Sequence, residues 1–314
     1  MQNAFVLGAG LGTLLKKLTA TLPKPLIPVY QRPLITYAFD HLIDLGIDRF
    51  VINTHHLAGA YDGAFPDRLY RGASIEFRHE PELLETGGGI ANVGDLLGEE
   101  LFIVYNGDIL TDLPLQEAKR VHMASDNVVT LVLRSSGPAN HVAWDQSSGK
   151  ITDIRNLAET GDPGSCQFTG VYFVEPGFKD LFEVGVKKSV IPVFLDLIRA
   201  SRLGGVLADG GHWWDLGDRE SYLDAHAAMR GVAFPAYDPD EAGLTAIHAS
   251  ASVHENAQIL GASCLGANAQ VGDGAVVEHT VVWPGASVEA GACLKRCVVR
   301  SGERVSGAHQ NEDL

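Results

Sequence analysis

The sequence predicts an α/β domain built on a doubly wound, parallel sheet, followed by a parallel β-helix. Two observations carry that reading. Over residues 4 to about 230, short apolar runs alternate with helical periodicity, as strands alternating with helices do. From Ile247 onward the apolar period changes to six, which fits neither an α-helix nor an ordinary strand and marks a hexapeptide solenoid.

Residues 4–7 form an apolar run that stops at glycines and reads as a buried strand. Residues 33–45 read as a helix, because Pro33 suits a first turn and Leu34, Ala38, His41 and Leu45 recur on one face. Further strands are predicted over 49–53, 75–78 and 101–105, with helical stretches between them. In sheets of this kind ligands bind beyond the carboxyl ends of the strands, so the motifs that follow those ends are the candidate site.

In the tail, Ile247, Val253, Ile259, Leu265, Val271 and Val277 are spaced by six. After a five-residue step come Val282, Val288 and Leu294, and after another come Val299 and Val305. Small residues such as Ala251, Ala257, Ser263, Ala269, Ala275, Ala286 and Ala292 sit four positions after most of these. An aliphatic residue pointing inward and a small one at a tight corner, once per six, builds the flat sides of a β-helix. The expected division is therefore 1–230, a linker over 231–246 rich in Pro, Gly and Asp, and 247–314.

Composition narrows the function. The 314 residues carry a formal net charge of −15, without the basic footprint of a nucleic-acid binder. A nucleotide substrate stays open, because a few local cations and a metal can hold phosphates. No apolar run is long enough to cross a bilayer, and no cleavable leader is evident. Cys166, Cys264, Cys293 and Cys297 make no CxxC pair and read as small buried thiols in a reducing cytoplasm. His55 and His56 lack a metal-ligating partner cluster and read as strand-end packing.

Three motifs carry chemistry. Leu7-Gly8-Ala9-Gly10-Leu11-Gly12-Thr13 follows the first strand, and its glycines let backbone N–H groups approach a phosphate. A dinucleotide-binding crossover would use a similar loop, but Pro23, Pro25 and Pro28 exclude its helix. Asn106-Gly107-Asp108 closes the fourth strand, where an aspartate after a glycine is well placed to hold Mg²⁺. Glu82-Leu83-Leu84-Glu85-Thr86-Gly87-Gly88-Gly89 opens a helical run, which reads either as a tight turn or as a helix start whose backbone groups can meet a ligand.

The glycine loop together with Lys17-Leu18-Thr19 and Pro23-Lys24-Pro25-Leu26-Ile27-Pro28-Val29 resembles the sugar nucleotidyltransferase family, whose signature reads G-x-G-T-R-L, P-L-T and P-K-P-L-x-P-V. Asn53-Thr54-His55-His56 with Leu84 to Gly89 is similar to the branch that includes N-acetylmuramate-1-phosphate uridylyltransferases. The hexapeptide tail is similar to two-domain members such as mannose-1-phosphate guanylyltransferases. The resemblance implies a Rossmann-like, GT-A-like mixed sheet with a C-terminal left-handed parallel β-helix. It implies an enzyme that forms an NDP-sugar and pyrophosphate from an NTP and a sugar 1-phosphate. Residue by residue it makes Lys24 and Asp108 catalytic, and Asp108 with Asp215 of Trp213-Trp214-Asp215-Leu216-Gly217 the Mg²⁺ ligands. Leu7, Gly8, Ala9, Gly10, Gly12, Thr13, Glu82, Thr86 and Gly87 would bind nucleotide, and Asn106, Thr169, Gly170 and Arg155 the sugar. The β-helix would serve homo-oligomerisation; an acyltransferase using it is disfavoured, because no catalytic histidine is evident there: His248 and His254 sit at the entry and His279 sits alone. The family's arginine is Leu14 here, which supplies neither charge nor forked donors; Lys16 or Lys17 would replace it as a point charge. That departure keeps an alternative open, a non-catalytic nucleotide-sugar-binding regulator.

Overall fold

The computed structural model describes residues 2–10, 12–237 and 244–314, with the side chains of Thr13, Leu14 and Lys16 outside the description. Six positions of the expected linker, 238–243, also lie outside the described residues. Contacts divide the chain into two compact units, Met1–Gly10 with Ala38–Trp213, and Leu11–Tyr37 with Trp214–Leu314.

The first unit is built on a ten-stranded sheet. Its strands are β1 (Asn3–Leu7), β2 (Arg49–Thr54), β3 (Leu69–Tyr70), β4 (Ala73–His79), β5 (Phe102–Asn106), β6 (Val129–Arg134), β7 (Asn140–Asp145), β8 (Lys150–Ile154), β9 (Cys166–Val174) and β10 (Leu203–Leu207). Their spatial order is β7-β8-β10-β6-β9-β5-β1-β2-β4-β3. The half containing β5, β1, β2 and β4 is parallel, as strand–helix alternation predicts. The other half is not: β9 lies antiparallel between β5 and β6, and β8 runs antiparallel to β7 and β10. The chain passes from β7 through β8 to β9 without a crossover helix, and strands joined in that way can return antiparallel. The sheet is therefore mixed. Phe5, Val51, Val104, Tyr172, Phe178 and Phe194 form part of its buried core.

The helix expected over 33–45 is α1 (Ile35–Asp44). It starts late because Arg32–Pro33 instead pairs with Pro28–Val29 in a short hairpin, a place where a proline without an N–H can sit at an edge.

In the second unit the tail forms a three-sided parallel β-helix. One face stacks Ser252–Val253, Gln270–Val271, Ser287–Val288 and Arg304–Val305; the second stacks Gln258–Leu260, Val276–Glu278, Cys293–Lys295 and Ala308–Gln310, and the third Cys264–Leu265, Val281–Val282 and Val298–Val299. Val253 registers with Val271, and Val271 with Val288, so the coil shortens from 271 − 253 = 18 residues to 288 − 271 = 17. The five-residue steps in the sequence are those shortened corners. Leu265, Val271, Val277, Val282, Val288, Leu294, Val299 and Val305 fill the core together with Ala269, Ala275, Ala286 and Ala292. Cys264 and Cys297 are buried, but Cys293 is exposed, because Leu294 takes the inward position beside it.

This β-helix packs on the helix Arg219–Met229, which Asp218 caps through the Ser221 N–H at 2.8 Å. The indole N–H of Trp283 donates to the Tyr222 hydroxyl at 3.0 Å, and that hydroxyl donates to Pro28 O in the hairpin. Arg296 pairs with Glu220 and Asp224 on the same helix. His226 lies buried among these groups, stacked on Tyr30 at 5.2 Å, and burial pushes its pKa down to about 4.

Candidate active site

The carboxyl ends of β1, β2 and β5 lie side by side in the first unit, since Leu7 registers with both Asn53 and Asn106. The glycine loop leaves from this edge. The Gly8 and Ala9 N–H groups donate to Asn53 Oδ1 at 2.9 and 3.2 Å, and the Tyr61 hydroxyl donates to Gly8 O at 2.9 Å. Burial, with the Asp108 carboxylate nearby, raises the Tyr61 pKa, so its hydroxyl stays a donor. The loop's first two amides thus turn inward, and donors available to a phosphate begin no earlier than Gly10. A side chain at Gly8 would meet Asn53 O at 2.7 Å, whereas among the described residues one at Gly10 would meet nothing within 4 Å. Packing therefore explains the glycine at 8, while the open approach at Gly10 suits a ligand.

The 80–89 turn enters α-helix Glu85–Asn92. Thr86 is half-buried and Gly87 buried, while Glu82 is exposed. A Cβ on Gly87 would fall 2.5 Å from the Phe182 ring, so this glycine lets the helix start close against its neighbour. The buried acid of the turn is Glu80, with no exposed surface. Neither Glu80 nor Asn53 stands out as a site residue in the sequence. His55 Nδ1 contacts Glu80 O at 2.7 Å, consistent with a strand-end packing role.

Gly107 brings Asp108 to the same edge: its N–H donates to Leu7 O at 3.0 Å, and a Cβ there would lie 2.6 Å from that oxygen. Gly170, at φ +87°, sits where β9 shifts register and allows the Asn106 side chain to pack against it. The Thr169 hydroxyl donates to Val132 O at 2.8 Å, and Trp213 Nε1 donates to Thr169 O at 2.8 Å. Thr169 is thus engaged with the protein itself.

Beside these residues is a cavity of 340 Å³ lined by Thr86, Asn106, His141, Arg155, Phe168 and Tyr172, among others. Three of the expected ligand-binding residues, Thr86, Asn106 and Arg155, meet there. Arg155 and Asn156 both adopt positive φ, 56° and 55°. The buried Asp153 holds the loop beyond them by accepting from Ala158 N–H at 2.9 Å and Thr160 N–H at 3.1 Å. Burial and the Arg155 charge hold the His141 pKa below its usual value. Among the described residues the buried Tyr172 hydroxyl has no hydrogen-bond partner.

In the second unit, Lys24 opens a short 3₁₀ turn, Lys24–Leu26, behind Pro23. Its ammonium lies 3.4 Å from Asp215 Oδ1, with the lysine side chain 13% and the aspartate 55% exposed. The structure thus joins two residues that lie far apart in the sequence. Gly12, at φ +58°, packs on Thr19, whose hydroxyl donates to Gly12 O at 2.8 Å. Lys17 turns toward the C-terminus, its ammonium 3.3 Å from Asp313 O. The Thr13, Leu14 and Lys16 side chains lie outside the described residues.

Among the described residues no three acidic, histidine or cysteine side chains gather into a metal cage. Mg²⁺ does not need one: it keeps waters and commonly takes one or two carboxylates plus substrate phosphates. The half-exposed carboxylate of Asp215 beside a lysine, and Asp108 at a strand end, are hard oxygen donors of the kind such an ion takes.

The nucleotidyl transferase family model matches residues 3–231. The mannose-1-phosphate guanylyltransferase of Mycobacterium tuberculosis is 30% identical over 300 residues, covering 94% of this chain and 83% of that protein. The N-acetylmuramate alpha-1-phosphate uridylyltransferase of Neisseria meningitidis serogroup B is 32% identical over 219 residues, 69% of this chain and 93% of that protein. The crystal structure of HddC from Yersinia pseudotuberculosis superimposes with a TM-score of 0.58 at 23% identity, covering 72% of this chain and 98% of that one, a likeness of fold.

Proposed function

This chain belongs to the nucleotidyl transferase family, and on that premise we propose that it joins the nucleoside monophosphate of an NTP to a sugar 1-phosphate and releases pyrophosphate. The observation that carries the reading is the meeting of the glycine loop, the 80–89 turn and the Asn106-Gly107-Asp108 segment at the carboxyl edge of parallel strands, where such sheets bind ligands. The regulator alternative is not favoured, since the relatives above are named as transferases.

The reaction is an in-line displacement. A phosphate oxygen of the sugar 1-phosphate forms a bond to the α-phosphorus as the bond from that phosphorus to the pyrophosphate oxygen breaks. The chain's task is positioning and charge neutralisation. Leu7 to Gly10, Gly12 and Thr13 line the nucleotide's phosphate side, and Glu82, Thr86 and Gly87 its base and ribose. Lys24 places a cation against phosphate, oriented by Asp215. Asp108 and Asp215 are the proposed Mg²⁺ ligands, and such an ion would offset phosphate charge during the displacement. The cavity beside Asn106 and Arg155 receives the sugar, with Thr169 and Gly170 shaping the strand that borders it.

By function, 1–230 acts as the catalytic part, 231–246 as linker and 247–314 as an oligomerisation element, supported by the solenoid's flat faces; a monomeric mass in solution would remove that last role. No helix among the described residues is long and apolar enough to cross a membrane. The four free thiols support a cytoplasmic setting. The decisive experiment offers each NTP with Mg²⁺ and a panel of sugar 1-phosphates and scores pyrophosphate. Release confined to particular pairs is expected; a folded protein that releases none across the panel would overturn the reading.

A further inference from the structure

Glu80 is a carboxylate with no exposed surface, and nothing in the proposed chemistry uses it. A buried carboxylate is tolerated only when its oxygens are well hydrogen-bonded, so the identity of its partners is informative. Oε1 accepts from Asn53 Nδ2 at 2.8 Å, and Oε2 accepts from Leu84 N–H at 3.0 Å, at the entry of helix Glu85–Asn92. Its own N–H donates to Thr54 O at 2.7 Å, which fixes its place beyond the end of β4. Asn53 passes the connection on, since its Oδ1 accepts from both Gly8 and Ala9 N–H.

The chemistry of the two side chains gives the arrangement a direction. An ionised carboxylate only accepts, whereas an amide has one accepting and one donating end. Facing Glu80, Asn53 must present its NH₂ and turn its oxygen to the glycine loop. A neutral amide at position 80 could donate as well as accept, and that constraint on Asn53 would be lost. Space has been made for the pair: a Cβ on Gly89 would stand 3.1 Å from Asn53 Nδ2 and 3.2 Å from Glu80 Oε1.

We propose that Glu80 is a positioning residue that, through Asn53 on one side and Leu84 N–H on the other, sets the spacing between the 8–10 loop and the 86–87 turn. The inference rests on the reading that these two segments hold opposite ends of one nucleotide. A shift in their spacing then weakens NTP binding and leaves the sugar 1-phosphate site unaffected.

The test is a steady-state comparison of the parent chain with Glu80→Gln, Asn53→Ala and the double variant, using the preferred NTP and sugar 1-phosphate, with melting temperature recorded for each. The expected result is an NTP KM raised about tenfold in each single variant, a sugar 1-phosphate KM within about twofold of the parent, and no further rise in the double variant, because Glu80→Gln keeps an oxygen that can accept from Leu84 N–H and so acts through Asn53. A merely structural role would lower the melting temperature while leaving the two KM values in their parental ratio, and that outcome overturns the proposal. So does a double variant whose NTP KM rises about a hundredfold, which would mean that Glu80 contacts nucleotide independently. If Glu80→Gln does not fold, Asn53→Ala alone decides the matter by the same split in KM. A parent that releases no pyrophosphate overturns the function reading itself; release by the parent with an unchanged NTP KM in the variants overturns only this inference.

Discussion

Asp215→Asn separates catalytic from structural worth, because the surroundings of Asp215 assign very different magnitudes to the two. Its carboxylate is 55% exposed and lies 3.4 Å from Lys24. An ion pair so open to solvent is screened and contributes under about 1 kcal/mol to stability, or about 2–4 °C in melting temperature for a domain of this size class. As one of the two proposed Mg²⁺ ligands, the same carboxylate would face phosphate charge that must be offset as pyrophosphate leaves. Losing such a contact removes on the order of 3–4 kcal/mol of transition-state stabilisation, a fall of about 10²–10³-fold in turnover. Asparagine keeps the shape and removes the charge. The assay follows pyrophosphate release over a Mg²⁺ titration at saturating substrates, with thermal unfolding alongside. Turnover should collapse while the melting temperature barely moves. Parental turnover in Asp215→Asn, or a loss of activity that merely tracks unfolding, would refute the reasoning.

Asp108→Asn should likewise abolish turnover with the fold intact, and chelating Mg²⁺ from the parent should do the same reversibly; near-parental rates in either case would remove the metal assignment. Leu14→Arg should raise the rate of pyrophosphate release by restoring forked donors toward the leaving group; an unchanged rate would mean that another cation already fills that place. His226 predicts an acid-labile fold. Its Nε2 accepts from Tyr30 N–H at 3.1 Å and its Nδ1 faces Tyr222 O at 2.9 Å, an arrangement that needs the neutral ring, and its pKa falls from 6.5 to about 4. The unfolded chain therefore binds the proton first as pH drops: stability is complete above about 6.5 and declines toward pH 4 by about 3 kcal/mol. Denaturant unfolding at pH 5 and pH 7.5 checks this, and equal stabilities would contradict it. Truncation after Arg230 removes Trp283 and Arg296 from helix Arg219–Met229, so fragment 1–230 should melt at least about 10 °C below the full chain or precipitate, since loss of a buried tryptophan alone typically costs about 3–5 kcal/mol; a fragment melting within a few degrees would show that the helix stands without the solenoid.

What the sequence made legible is what depends on local period and local chemistry. The hexad tail could be read almost position by position, because each inward residue serves the same corner geometry in successive coils, and even the five-residue steps correspond to shortened turns. The strands bounding the glycine loop were legible for the same reason. The antiparallel insertion of β9 was not, because nothing local says whether a strand entering without a helical crossover will pair up or down. The site divides along the same line. Lys24 and Asp215 were reached through motifs and do meet, at 3.4 Å. Thr169 was reached through a motif as well, yet its hydroxyl goes to Val132 O. Glu80 and Asn53 were missed because the signal that would expose them is tertiary. Along β4, Ser74, Glu76 and Arg78 share the polar face, and simple alternation extends that face to Glu80. The strand ends at His79, however, and the next residue turns inward to meet a side chain 27 residues away. Alternation reports which face of a strand a residue occupies only while the strand lasts. Past its end, a polar residue's surroundings are set by whichever other chain segments arrive there, and in sheets with parallel strands those are the segments that carry ligands.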